Sequence, residues 1–234
     1  MKTKTFIFLL FLTAAAGSQA RGQASQTLSA FQEYYRIYYS YNKAEYLRCN
    51  VTSLTRDSVT WQQYYQWTFP FISSNGRYTC TYDSIRLVQG YSFNLALDMR
   101  LQVLGMSKPD RMNVLFPVNL LDNAFRRESL ALSYIIKTSQ SSWMLRFIFK
   151  PGEYYSFYEV IYDPVTLLMT QQKLFYKADD GRTTELLITT SGYNRASFST
   201  GIFDEFLYVK QTDTGYVAMP AYSNYRILDG TIKE

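Results

Sequence analysis

Residues 61–71 read Trp61-Gln62-Gln63-Tyr64-Tyr65-Gln66-Trp67-Thr68-Phe69-Pro70-Phe71, and the step of two in this stretch decides the fold class. Trp61, Gln63, Tyr65, Trp67, Phe69 and Phe71 fall on one side of an extended chain, with Gln62, Tyr64, Gln66, Thr68 and Pro70 on the other. A strand with one greasy face belongs to an antiparallel sheet that covers a core on that face. The same alternation recurs at Tyr91, Phe93, Leu95 and Leu97, and at Trp143, Leu145, Phe147 and Phe149, which ends at the turn dipeptide Pro151-Gly152.

Working outward, further strands are predicted over 44–54, 77–88, 129–138, 154–162, 167–177 and 183–190. Asp163-Pro164-Val165-Thr166 and Asp179-Asp180-Gly181 supply turns between the last three. Short connections make successive strands antiparallel neighbours, and no alternating helices exist to build a parallel sheet. Two segments change the period to helical spacing. Leu28, Phe31, Tyr35 and Tyr38 place an amphipathic helix over about 25–42, and Val118, Leu121 and Phe125 place a shorter one inside an insertion at 109–128. Phe203, Phe206 and Leu207 suggest a last helical turn before a final strand near Tyr216 to Met219. The expected architecture is mainly β with a few helices: a curved antiparallel sheet, or an unclosed barrel, of about ten to eleven strands. An N-terminal helix and a mid-chain helical lid plug it.

The first 22 residues have the form of a secretory leader. Lys2 and Lys4 precede the apolar run Phe6 to Leu12, and a small-residue exit follows from Ala14 to Gly22. The run is too short to span a bilayer, which takes roughly 20 residues. Residues 1–22 are therefore expected to be a cleaved signal peptide and 23–234 a single exported domain, peripheral to a membrane at most. Lys2, Lys4 and Arg21 belong to that leader, so the formal charge of +5 overstates the mature chain and gives no case for nucleic acid.

The chain holds 22 tyrosines, 16 phenylalanines and no histidine. Without histidine, Ser-His-Asp and Cys-His nucleophile arrangements cannot form, and a transition metal would have to rely on cysteine and carboxylates alone. Glu153 and Glu159 could be read as a glycosidase pair, but exposed strand carboxylates are the ordinary outcome for such residues. No catalytic residue, metal or cofactor is expected. Cys49 and Cys80 lie on apolar strand faces, so they either pair as a disulfide, if their strands are adjacent, or remain buried thiols.

The order of elements resembles that of the LolA/LolB-like periplasmic lipoprotein carriers, in a divergent form of the kind found in Bacteroidetes envelopes. The stretches that carry the resemblance are Arg86-Leu87-Val88-Gln89-Gly90-Tyr91-Ser92-Phe93-Asn94-Leu95-Ala96-Leu97-Asp98, similar to paired central strands of that superfamily, and Tyr158-Glu159-Val160-Ile161-Tyr162-Asp163-Pro164-Val165-Thr166, similar to its Asp-Pro-x-Thr hairpin. The resemblance implies an unclosed barrel whose cavity accepts acyl chains, and hence a periplasmic, non-enzymatic binder of a lipid or acylated protein. Its expected lining is Trp67, Phe69, Phe93, Leu95, Leu145, Phe147 and Phe149 from strands, with Leu121 and Phe125 from the lid. The rival reading is an envelope structural or secretion-assembly component that meets a protein complex through exposed tyrosines, since adjacent pairs such as Tyr64-Tyr65 and Tyr154-Tyr155 point rings to both faces of a strand.

Overall fold

The segments of period two form strands in the computed structural model, which describes residues 29–109, 115–116, 118–126, 128–178 and 181–231. The leader expected over 1–22, Leu28 and the Asp179-Asp180 pair lie outside them. Residues 29–42 are helical (α1). Six strands then follow as antiparallel neighbours: β1 (Leu47–Asp57), β2 (Gln63–Ser74), β3 (Arg77–Tyr82), β4 (Ile85–Gln89), β5 (Asn94–Asp98) and β6 (Val103–Ser107). Helix α2 (Val118–Arg126) leads to five more: β7 (Leu130–Lys137), β8 (Trp143–Phe149), β9 (Tyr155–Tyr162), β10 (Met169–Lys177) and β11 (Thr183–Asn194). Two 3₁₀ turns, Thr200–Phe203 and Glu205–Leu207, precede a small hairpin of β12 (Val209–Thr212) and β13 (Gly215–Ala218), and β14 (Arg226–Asp229) ends the fold.

One large, curved, unclosed sheet takes 12 of these strands in the order β14-β6-β5-β4-β3-β2-β1-β11-β10-β9-β8-β7. Three of its turns share one device. The Oδ1 atoms of Asp57, Asp98 and Asp163 each accept hydrogen bonds from the backbone N–H groups two and three residues ahead, so a short acidic side chain closes each reversal. The predicted 77–88 strand is two strands, because Asp83 takes a left-handed φ of 50° and reverses the chain there.

Two features depart from the antiparallel meander expected from the sequence. β1 is flanked by β2 on one side and β11 on the other, so the two halves of the sheet join at the first and last strands of the meander. β14 pairs with β6 in parallel. That pairing needs a long return path, which residues 195–225 supply by crossing the sheet. The segment expected to be the last strand, near 216–219, instead forms half of the separate small hairpin.

The inner face of the sheet carries α1. Phe31 and Tyr34 of the helix meet Phe147 at ring-centroid distances of 5.2 and 5.9 Å, and Tyr34 also meets Tyr158. The buried helical set is Ala30, Phe31, Tyr34, Ile37, Tyr38 and Tyr41, a stripe turned slightly from the predicted one, since Tyr35 is only half-buried. Edge-to-face ring pairs of this kind contribute about 0.5–1.5 kcal/mol each beyond the area they bury. Phe116 and Leu121 complete this main core, so the mid-chain insertion acts as a plug.

A second, smaller core lies on the opposite, outer face of β4 to β6. There Val88, Leu95, Leu97, Leu104 and Met106 pack with Phe93, Tyr208 and Val209, and Tyr216, Tyr222, Tyr225 and Ile227 close over them. The sheet thus buries its inner face at one end and its outer face at the other.

Cys49 and Cys80 are free, buried thiols. Their strands are not neighbours: Cys49 pairs with Phe71 of β2, and Phe71 pairs with Cys80. Two strand spacings of about 4.8 Å hold their Cα atoms well beyond the roughly 7 Å limit for a disulfide. The disulfide alternative is therefore ruled out by the intervening strand.

Candidate functional site

Because the outer face of β4 to β6 takes the large residues, the inner face at this end is left with small ones. One cross-strand row runs Phe71, Cys80, Leu87, Ala96, Gly105 and Leu228, from β2 across to β14. Phe71 and Cys80 lie in the main core, but Ala96 is exposed and Leu87 and Gly105 only half-covered. Neither helix is packed there, and the result is an open trough of about 660 Å³. Leu87, Ala96, Gly105 and Leu228 form its floor, with Tyr78 at one end and Met106, Asp229 and Gly230 along the sheet edge.

The next row toward the β4–β5 loop is polar: Ser73, Tyr78, Gln89, Asn94 and Ser107. Tyr78, Asn94 and Ser107 border the trough, and Gln89 stands between Tyr78 and Asn94 in register. The site is therefore an apolar channel with one polar wall. It contains no ionised side chain in its floor, and among the described residues no group of three Cys, Asp or Glu is placed to hold a metal.

The residues expected to line a cavity are divided by the structure among three environments. Phe69, Leu121, Leu145, Phe147 and Phe149 are packed in the main core, with Leu145 and Phe147 at 0% exposure. Phe93 and Leu95 belong to the outer core, and only Leu95 also borders the trough. Trp67 stands at the rim, 38% exposed, stacked on Tyr65 at 5.6 Å and tilted against Tyr82. The side chain of Phe125 lies outside the described residues. Between the helical plug and the sheet there is a lesser hollow of about 380 Å³, and of the expected lining it touches only Phe149. Filling by α1 explains this outcome: its tyrosines occupy the space that a ligand would need.

The carboxylates considered for glycoside chemistry do not converge. Glu159 is paired with Arg146, its register partner, on the face opposite to its inward neighbour Tyr158, whereas Glu153 lies in the turn beside the lesser hollow. Buried acidic protons are instead held tightly. Burial pushes the Cys49 and Cys80 thiols from 9.0 up to about 12, and it raises Tyr34, Tyr41 and Tyr158 well above the ordinary tyrosine range. Such groups stay neutral, which suits packing and does not suit nucleophilic attack.

The trough residues were missed in the sequence because the interior was assigned to the larger residues of 91–97. The available signal was the apolar alternation of Ile85 and Leu87 with Val88 also apolar, a pattern of a strand covered on both faces, followed by Ala96 and Gly105 at small-residue positions.

No family model matches the chain, and no curated protein matches it. Solved structures do. A conserved protein of Thermus thermophilus is 8% identical with a TM-score of 0.45, covering 83% of this chain and 97% of its own. A DUF1329 family protein from Desulfovibrio piger is 9% identical with a TM-score of 0.39, over 77% of this chain and 98% of that one. A LolA superfamily protein from Nitrosomonas europaea is 7% identical with a TM-score of 0.33, over 72% of this chain and 96% of that one.

Proposed function

We propose that this chain is an exported, non-enzymatic binding protein or carrier whose ligand is a lipid, a lipoprotein acyl chain or a similar apolar molecule, and that it works in the periplasm. The observation that supports the reading is the open apolar floor of Leu87, Ala96, Gly105 and Leu228 beside two packed cores. Its volume of about 660 Å³ falls in the range of roughly 300–1,000 Å³ typical of small-molecule sites. The sequence leader supports export, and no described helix is long and apolar enough to cross a membrane. Each square ångström of apolar ligand surface covered in the trough gains on the order of 25 cal/mol.

Gly105 offers a direct test. A Cβ built there meets Ala96 O at 3.7 Å and Ala96 Cβ at 3.9 Å, ordinary contact distances, so Gly105→Leu fills the trough without disturbing the backbone. Nile red is expected to brighten with the wild-type protein and to be displaced by long-chain lipids, whereas Gly105→Leu loses the signal at an unchanged melting temperature. Equal dye binding by both proteins would place the ligand elsewhere and remove this reading.

A second reading, an envelope assembly component, is favoured by the exposed Tyr65–Trp67 stack at the rim. Affinity capture that recovers one stoichiometric protein partner, lost with Trp67→Ala and indifferent to Gly105→Leu, would favour it over lipid carriage.

A further inference from the structure

The lesser hollow, about 380 Å³, differs in chemistry from the trough. Asn123 of α2, Ser129 ahead of β7 and Glu153 of the β8–β9 turn bring polar side chains to it, while Phe149, Tyr154 and Tyr155 bring rings. Among the described residues, the side chains of Asn123, Ser129 and Glu153 make no hydrogen bond or ion pair. Ser129 is only 8% exposed, yet its hydroxyl is not sealed from the hollow.

The backbone fixes this arrangement. Gly152 takes a φ of 93° in the turn, where the Lys150 N–H donates to the Ser129 carbonyl at 2.8 Å and the Glu153 N–H to the Lys150 carbonyl at 3.2 Å. The Lys177 N–H donates to the Tyr154 carbonyl at 3.0 Å, which ties the start of β9 to β10. The rings are held as well: Tyr155 meets Phe149 at 5.7 Å and Tyr154 at 4.9 Å, and Tyr154 is backed by Tyr176 at 5.7 Å. The polar groups and the rings therefore meet a ligand already positioned.

We infer that this hollow is a second binding site, separate from the trough, and that its ligand is a short neutral saccharide. A sugar ring has hydroxyls around its rim, each able to donate and to accept, and C–H groups on its faces. Glu153 accepts from such hydroxyls, Asn123 and Ser129 both donate and accept, as do tyrosine hydroxyls, and the rings cover the C–H face. An apolar ligand would strip water from those polar groups and return nothing. No lysine or arginine is among the described residues that line the hollow, so nothing there selects an anion. Its volume lies near the lower end of the roughly 300–1,000 Å³ of small-molecule sites, which limits the occupant to a short saccharide.

Saturation-transfer NMR on the full mature chain tests this with glucose, galactose, mannose, N-acetylglucosamine, maltose and cellobiose. Choline and cyclohexanol serve as controls, the first a cation and the second a ring with a single hydroxyl. At least one saccharide is expected to receive saturation at its ring C–H protons and to bind at least about tenfold more tightly than cyclohexanol. Asn123→Ala and, independently, Glu153→Ala should each weaken that saccharide about three- to tenfold at an unchanged melting temperature. Gly105→Leu, which fills the trough, should leave it unaffected. If no saccharide receives saturation, if cyclohexanol matches the best of them, or if both alanine variants bind like the parent, the inference fails. Transfer to choline alone would make the hollow a cation site and equally overturn it. Nile red binding judges the trough reading separately, so either can fail without the other.

Discussion

Gly90 is a single residue on which a buried carboxylate depends. A Cβ there would lie 1.7 Å from Glu205 Oε2, and Glu205, 5% exposed, accepts a hydrogen bond from the Ser92 backbone N–H at 2.6 Å. The 3₁₀ turn that carries Glu205 is thereby tied to the β4–β5 loop, and Phe93 beside it meets Phe206 at 5.6 Å. Gly90→Ala must expel the carboxylate and is expected to cost about 2 kcal/mol or more in urea unfolding. In the double variant with Glu205→Ala the obstacle is gone, so the summed loss should be less than additive, which a double-mutant cycle measures directly. The titrations of single buried groups set a second expectation. Cys49 and Cys80 ionise near 9.0 when unfolded but at about 12 when folded, and Tyr34, Tyr41 and Tyr158 are likewise raised. Protons are thus retained longer by the native state, so stability is fully present below about pH 9 and is lost as pH rises, more steeply above about 10 where tyrosines join. Urea midpoints at pH 8, 9.5 and 11 should fall in that order, and both thiols should resist alkylation at pH 8 until the protein is unfolded.

At the scale of elements, β2 is two different strands in one. From Phe71 to Ser74 it has β3 on its outer side; from Gln63 to Pro70 that side is unpaired, and the segment carries no charge. Edges are normally blunted by lysine, bulges or short length, and here only Pro70 and the register shift near Tyr64 do so. Gln66→Lys, at an exposed position, is therefore expected to suppress turbidity on heating at high protein concentration while leaving the unfolding midpoint within about 0.5 kcal/mol of the parent. Light scattering alongside circular dichroism separates the two effects. This element also shows what was legible in the sequence and why. Its alternation is plain because one face of an antiparallel strand must be apolar, and the same rule found β8, whereas α1 was legible from apolar residues at helical spacing. What alternation cannot carry is which face of β5 turns inward, since Asn94 and Ala96 versus Leu95 and Leu97 differ only in size and polarity. Their sides were decided by residues 200–225, remote in the chain, which cover Leu95 and Leu97 from outside. The candidate site was missed for the same reason: it is made of the small residues left over after two distant segments had chosen their faces.

Over the whole molecule, the two cores on opposite faces share one continuous sheet, and the trough lies where coverage passes from one side to the other. Large rings are spent in the cores, and the trough floor uses residues whose replacement need not unsettle them. The join at β1 has a further consequence, one of timing. β1 must wait for β11, so a chain emerging N-terminus first holds a half-sheet with a raw inner edge, and the rings of α1 have little to cover, until nearly all of the protein has been delivered. Pairings that close so large a loop are slow to form, and the interval before closure is when such a chain is most exposed to wrong partners. The large sheet therefore stays in two unjoined halves until β11 reaches β1.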